Sequence, residues 1–197
     1  MPTRPDLYYV RHGQTDWNAE QRFQGSLDIP LNDTGREQAR QNGIKLKNAL
    51  GTADGFSFIA SPLSRARETM EIIRREMGLP VTEYVTDERL IETSYGNFEG
   101  RTQAEIKAEN RELYYERKNN MWTFRPKGGE SHADAVARVQ DWYTSLEPRR
   151  KYLVAGHGAV GRVMRHVVLG LSPAEVSRFV FPQNEVFHFF EGREERF

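Results

Sequence analysis

Val10-Arg11-His12-Gly13-Gln14-Thr15-Asp16-Trp17-Asn18 decides how the rest of the chain is read. It follows an apolar run, Leu7-Tyr8-Tyr9-Val10, that reads as a buried strand. An Arg and a His therefore stand side by side at the strand's carboxyl end, before a Gly that frees the backbone. In open α/β sheets ligands bind at that end. The planar guanidinium suits phosphate, and an imidazole is a nucleophile near neutral pH. The pair points to a His that attacks phosphorus while an Arg holds the phosphoryl oxygens. A lone His at a strand end is more often structural, so this reading needs partners elsewhere in the chain.

The chain has 197 residues, enough for one domain with a sizeable core, and we expect a single domain over residues 1–197. Lys plus Arg equals Asp plus Glu at 28 each, so no global basic field argues for nucleic acid or an anionic membrane. There is no Cys, which excludes disulfides and thiolate metal sites and permits a reducing cytosol. No apolar run approaches the roughly 20 residues of a membrane span, and the N-terminus lacks the apolar core of a signal peptide. A cytoplasmic protein is the expectation.

Beyond the first motif, strands and helices alternate. Thr34 and Glu37 have capping-box spacing and predict a helix from Thr34 to Ala49. Phe56–Ala60 reads as a second strand. Ser61 as N-cap and Pro62 at the first position open the next helix, with Leu63, Ala66, Met70, Ile73 and Met77 as its buried stripe. Arg65 then lies in the first turn, where the macrodipole disfavours a cation unless an anion is bound there. Val81–Val85 predicts an edge strand. Residues 87–100 carry acids and glycines without periodicity, and Thr102 with Glu105 is another capping box. Residues 107–127 are basic and aromatic; within 95–130 they form an insertion, either a lid that sets substrate specificity or a surface helix covering the sheet. Ser131 caps a helix with Val136, Val139, Tyr143 and Leu146 on its apolar face. Tyr152–Ala155 is a strand ended by Gly156-His157-Gly158, Ala159–Leu169 a helix, Pro173 onward a short helix capped by Ser172, and Val186–Phe190 the last strand. The pattern predicts an α/β fold, a three-layer α/β/α sandwich with a mostly parallel central sheet. Three strands then deliver His12 with Arg11, Arg65, and His157 to one sheet edge.

Arg11-His12-Gly13-Gln14-Thr15…Asn18, Ser61-Pro62-Leu63-Ser64-Arg65-Ala66, Glu92…Gly96-Asn97-Phe98-Glu99-Gly100, Gly128-Gly129-Glu130-Ser131 and His157-Gly158 together resemble the histidine phosphatase superfamily, the phosphoglycerate mutase-like proteins. The resemblance is ordered and spans almost the whole chain. It implies that His12 is the phosphorylated nucleophile and that Arg11, Arg65 and His157, with Gly158, form the phosphate pocket. It places Asn18 at a phosphate-contacting position and Glu92 at that of the proton donor. Tyr95 and Arg101 lie near that motif and are expected close to substrate. Glu130 is expected to cap a helix or bind an arginine. His132, His166 and His188 are read as structural or exposed. The sequence departs from the common pattern at Gly156, where Ser or Thr often precedes His-Gly.

These residues predict a phosphatase acting on small phosphomonoesters through phosphohistidine, with no cofactor and no metal, since no His-Glu-x-x-His or comparable ligand spacing occurs. The alternatives are a phosphoglycerate mutase using the same phosphohistidine and a catalytically silent phosphate-binding module. Mutases of the family are usually longer and carry an adjacent Arg pair in the inserted segment; residues 101–127 contain none. Oligomeric state is not legible.

Overall fold

The computed structural model describes residues 4–197. A six-stranded sheet runs in the order β3-β2-β4-β1-β5-β6. Strands β1 (Asp6–Arg11), β2 (Phe56–Ala60), β3 (Val85–Thr86) and β4 (Lys151–Gly156) are parallel to their neighbours in that set. Strands β5 (Val186–Phe190) and β6 (Arg193–Arg196) are antiparallel. The sheet is thus mostly parallel, as expected. The β6 strand and the reversed direction of β5 were not legible in the sequence.

Successive side chains of β1 face opposite sides. Leu7 and Tyr9 join Val154, Phe187 and Phe189 in a core beneath α6 (His132–Ser145) and α7 (Gly158–Leu169). Tyr8 and Val10 join Phe58, Leu153 and Ala155 beneath α2 (Asp33–Leu50) and α3 (Ser64–Glu76). Both faces are covered, which is why these strands read as continuous apolar runs rather than alternating ones. No helix among the described residues is long and apolar enough to cross a membrane.

Four local expectations are corrected. Helix α2 is capped by Asn32, whose side chain accepts from the Gly35 amide at 2.9 Å, rather than by a Thr34–Glu37 box. That placement sets Gly35 against Gly13, where a Cβ on Gly13 would lie 2.1 Å from the Gly35 carbonyl oxygen, so two backbones meet with no room for side chains. Helix α3 begins at Ser64, not after Ser61. Its cap, Leu63, offers no side-chain acceptor, and Asp28 from the preceding loop accepts from the Ser64 amide (2.8 Å) and hydroxyl (2.7 Å) instead. The buried face of α6 is His132, Ala135, Val139 and Trp142; Val136, Tyr143 and Leu146 pack at its border. The predicted edge strand shrinks to Val85–Thr86.

Other signals hold. Capping boxes form at Thr102, opening α4 (Gln103–Glu109), at Ser131, and at Ser172, opening α8 (Pro173–Ser177). Helices α4 and α5 (Arg111–Asn119) belong to a satellite core of Phe98, Ile106 and Phe124, with Phe23, Tyr95, Leu113 and Tyr114 at its edge. Between α1 (Asp16–Ala19) and α2, the chain is tied to this satellite by isolated bridges pairing Arg22 with Thr102 and Phe23 with Glu99.

Candidate active site

Sheet register sets the site. Arg11 lies opposite Gly156, and Ala60 opposite Ala155. One step beyond, His12 donates its amide to the Gly156 carbonyl (2.9 Å) and Ser61 donates its amide to the Ala155 carbonyl (3.0 Å). His12, Ser61 and His157 therefore leave three adjacent parallel strands at one level, and the imidazole centroids of His12 and His157 are 5.1 Å apart. A cavity of about 150 Å³ opens beside them, lined among others by Arg11, His12, Asn18, Arg65, Glu92 and Tyr95.

His12 is buried, and its Nδ1–H donates to the Gly13 carbonyl at 2.7 Å. A carbonyl only accepts, so the proton sits on Nδ1 and the lone pair on Nε2. Burial, followed by the nearby charges of Arg65 and Arg11, holds the imidazole well below its ordinary pKa. The ring is neutral at physiological pH with one nitrogen free to attack.

Of the two guanidiniums beside it, that of Arg65 is fully buried and that of Arg11 half-buried, and both are held by carbonyl groups. Arg65 donates to Leu27 O (2.6 Å) and Gly25 O (2.8 Å), and Arg11 donates to Phe181 O (2.7 Å). Burial lowers the pKa of both, that of Arg65 to about 10. The Nε of each has no hydrogen-bond partner among the described residues. Buried cations without a bonded carboxylate are costly unless an anion joins them. The charge of this cup is arranged for a ligand.

Glu92 reaches the cup from the irregular segment after β3. It is buried, and its carboxylate closes the N-terminus of α7: Oε2 accepts from the Ala159 amide, and Oε1 from the amides of Val160 and Thr93, each at 3.1 Å. Two helix N–H groups and the positive end of the dipole fix its position. Asn18 sits at the third position of α1, capped by Thr15, and its Oδ1 accepts from the Thr15 amide (3.2 Å) and Gln183 Nε2 (3.0 Å). His157 is buried; its Nε2 lies 2.7 Å from Ser61 Oγ, and its Nδ1 has no partner among the described residues. Burial and the neighbouring Arg65 hold its pKa well below the ordinary value. Ser61 Oγ also accepts from the Leu63 amide at 3.4 Å, one residue ahead of α3. Gly158 lines the cavity beside Arg11.

Arg101 is not among the lining residues; it pairs with Glu109. Glu130 binds Arg138 through two contacts, at 3.1 and 2.9 Å, away from the cavity. His132 is buried, and burial lowers its pKa to about 3. His166 donates to the Leu171 carbonyl, and His188 pairs with Asp6. Glu99, an acid of the segment without periodicity, is a staple: its Oε1 accepts from Ser26, Ser94 and the Tyr95 amide, joining two cavity loops.

Sequence reasoning missed Arg22, Arg162 and Gln183. Arg162 lines the cavity and is held by the Phe179 carbonyl at 2.7 Å. It lies one turn beyond Gly158 on the same helix face, and that i, i+4 relation to the motif was its readable signal. Gln183 donates to the His12 carbonyl (3.2 Å) and to Asn18 from a loop with no periodicity. Arg22 reaches the cavity while bound to Glu20 and the Gly100 carbonyl.

The arrangement has known counterparts. The profile described as histidine phosphatase superfamily (branch 1) matches residues 7–197. A 2,3-bisphosphoglycerate-dependent phosphoglycerate mutase of Azorhizobium caulinodans is 34% identical over 180 residues, covering 87% of this chain and 85% of its own. An uncharacterized phosphatase, PhoE, of Bacillus subtilis is 35% identical over 169 residues, covering 83% and 77%. Among solved structures, a mycobacterial glucosyl-3-phosphoglycerate phosphatase in complex with VO3 superposes with a TM-score of 0.80 at 28% identity, over 93% of this chain and 90% of that one. With a profile matched over nearly its whole length, and a cup of two guanidiniums and two imidazoles at the ends of parallel strands, the chain belongs to the histidine phosphatase superfamily.

Proposed function

We propose that the protein is a metal-independent phosphomonoesterase working through a phosphohistidine on His12. The observation that carries the reading is the His12 imidazole: neutral, anchored through Nδ1, and set beside the guanidiniums of Arg11 and Arg65, which are held by carbonyls rather than by a bonded carboxylate. His12 Nε2 attacks phosphorus and the bond to the alcohol oxygen breaks. Glu92 gives the leaving alkoxide its proton. Water then attacks the phosphohistidine, Glu92 takes a proton from that water, and phosphate leaves with His12 regenerated. Arg11, Arg65, Asn18, His157 and Gly158 hold the non-bridging oxygens, so charge neutralisation comes from side chains and amides. In the tautomer that leaves Nε2 to accept from Ser61, the Nδ1–H of His157 would be the donor to phosphate. The VO3-bound neighbour supports a site for a phosphoryl-like group.

Residues 95–130 would serve as the wall that selects the alcohol. Tyr95 lines the cavity, and Arg117 of α5 lies over the Phe23 ring at 4.5 Å. A second reading, a phosphoglycerate mutase, is favoured by the mutase relatives and by Arg22 and Arg162, which add cations at the cavity beyond Arg11 and Arg65.

One comparison decides between them. Phosphate release from a panel of phosphomonoesters is measured beside isomerisation of 3-phosphoglycerate with bisphosphate present. Release is expected to dominate and to survive a chelator. Isomerisation much faster than release assigns the mutase. Absence of both, with no acid-labile and base-stable phosphate trapped on His12, assigns a binding module.

A further inference from the structure

Tyr9 is a wholly buried residue of β1, pointing to the face that carries α6 and α7. Its ring meets Phe181 edge-on, with centroids 5.5 Å apart. Its hydroxyl does something a core tyrosine need not do. It donates to the His157 carbonyl at 2.7 Å and accepts from the His157 amide at 2.7 Å. One oxygen thus grips both peptide groups that flank a single residue, at the point where β4 turns into α7. The same His157 carbonyl accepts the Gly161 amide at 2.9 Å, which opens the helix.

Gly156 is the counterpart. A Cβ there would lie 2.3 Å from the Tyr9 hydroxyl oxygen and 2.8 Å from the ring carbon bearing it. A φ in the left-handed region is not the reason for the glycine: Gly156 has none. The glycine is required by the tyrosine. Without the hydroxyl, the His157 amide would be a buried donor with no acceptor, which is expensive.

We infer that Tyr9 is a positioning residue for the reaction: its hydroxyl, in space that only Gly156 leaves open, clamps the His157 backbone and so fixes the direction of that imidazole beside His12. The ring adds a second support, because it packs on Phe181, whose carbonyl holds Arg11. The catalytic part of this inference rests on the proposed role of His157; the clamp itself does not.

Two kinds of measurement on the full chain test it. Tyr9→Phe removes one oxygen and keeps the ring. The His157 amide is expected to exchange with solvent at least about tenfold faster. Phosphate release should fall about tenfold in kcat while KM changes by less than about threefold, because a mis-aimed imidazole costs most in the transition state. Gly156→Ser alone should lower Tm, since its Cβ has no room. Tyr9→Leu/Gly156→Ser, which clears the ring and returns a hydroxyl at the neighbouring position, should recover Tm and part of kcat. An unchanged His157 exchange rate in Tyr9→Phe overturns the clamp. Faster exchange with unchanged kcat overturns its catalytic role and leaves a structural one. If the wild type releases no phosphate, the phosphatase reading fails by itself, and exchange together with the rescue of Tm still decides the clamp. Should Tyr9→Phe fold poorly, the rescue by the double variant carries the decision.

Discussion

His12 and Glu92 divide the chemistry of the proposed reaction, and each leaves a different kinetic mark when removed. His12→Ala is expected to lower phosphate release by at least about three orders of magnitude, with no trapped phosphate, because the other imidazole, His157, is fully buried with its Nε2 against Ser61 and does not line the cavity. Glu92→Gln should slow alkyl phosphates by about 10²–10⁴-fold yet change p-nitrophenyl phosphate by only about threefold, since a good leaving group needs no proton. Equal slowing of both esters would remove Glu92 from the acid role. The buried histidines also make a stability prediction. His12 and His157 are held well below their ordinary pKa, and His132 at about 3, by burial. Below the unfolded pKa of about 6.5 the unfolded chain takes up protons that the native chain refuses. Stability is therefore full above that pH and falls as pH drops, by about 1.4 kcal/mol per pH unit for each such proton. Urea midpoints at pH 7, 6 and 5 should decline accordingly, and a flat series would contradict the burial of these rings.

Among the elements, the loop between α1 and α2 matters more to the cup than its lack of periodicity suggests. Gly25 and Leu27 give Arg65 its two carbonyls, while Asp28 closes the N-terminus of α3. Asp28→Ala should cost about 1 kcal/mol, as the loss of a helix cap does. Glu99→Ala unfastens the same loop from Ser94 and Tyr95; leaving several part-buried donors unpaired should cost about 1–3 kcal/mol and raise KM. Chemical denaturation and kinetics of the two variants check both figures. Such contacts explain what the sequence could and could not disclose. Strands β1, β2 and β4, the Ser131 and Ser172 caps and the Ala66, Met70 and Ile73 part of the α3 stripe follow from local pattern and are where they were expected, while Leu63 and Met77 fall at the caps of that helix. Ser61 has the look of a helix cap, but its hydroxyl meets His157 and the Leu63 amide; Asp28, 36 residues away in sequence, caps α3 instead, which no local rule anticipates, whereas Asn32 is an ordinary N-cap one residue before α2. Glu99 passes for a solvated acid because its partners are up to 73 residues away in sequence.

For the molecule as a whole, the cup behaves as an incomplete electrostatic unit that an anion finishes. Inorganic phosphate, or the vanadate seen in a relative's structure, should therefore raise the folding free energy by about 2.7 kcal/mol at a hundred times its Kd. For a chain of this size that corresponds to a rise of about 5–10 °C in Tm. His12→Ala should keep most of this shift, while Arg65→Ala, which removes a buried cation, should lose it; a wild-type Tm indifferent to phosphate would mean that the guanidiniums serve the fold alone. The global topology sets one further constraint. Strand β1 is the seam of the sheet, parallel to β4 on one side and antiparallel to β5 on the other. The reversal of β5 brings the segment entering it, with Phe181 and Gln183, to the edge where Arg11 and His12 leave β1. A polypeptide growing from its amino end thus contains both histidines and both arginines well before it possesses the carbonyl and the amide that steady two of them. The cup is therefore assembled only once Phe181 and Gln183 have closed against the first strand.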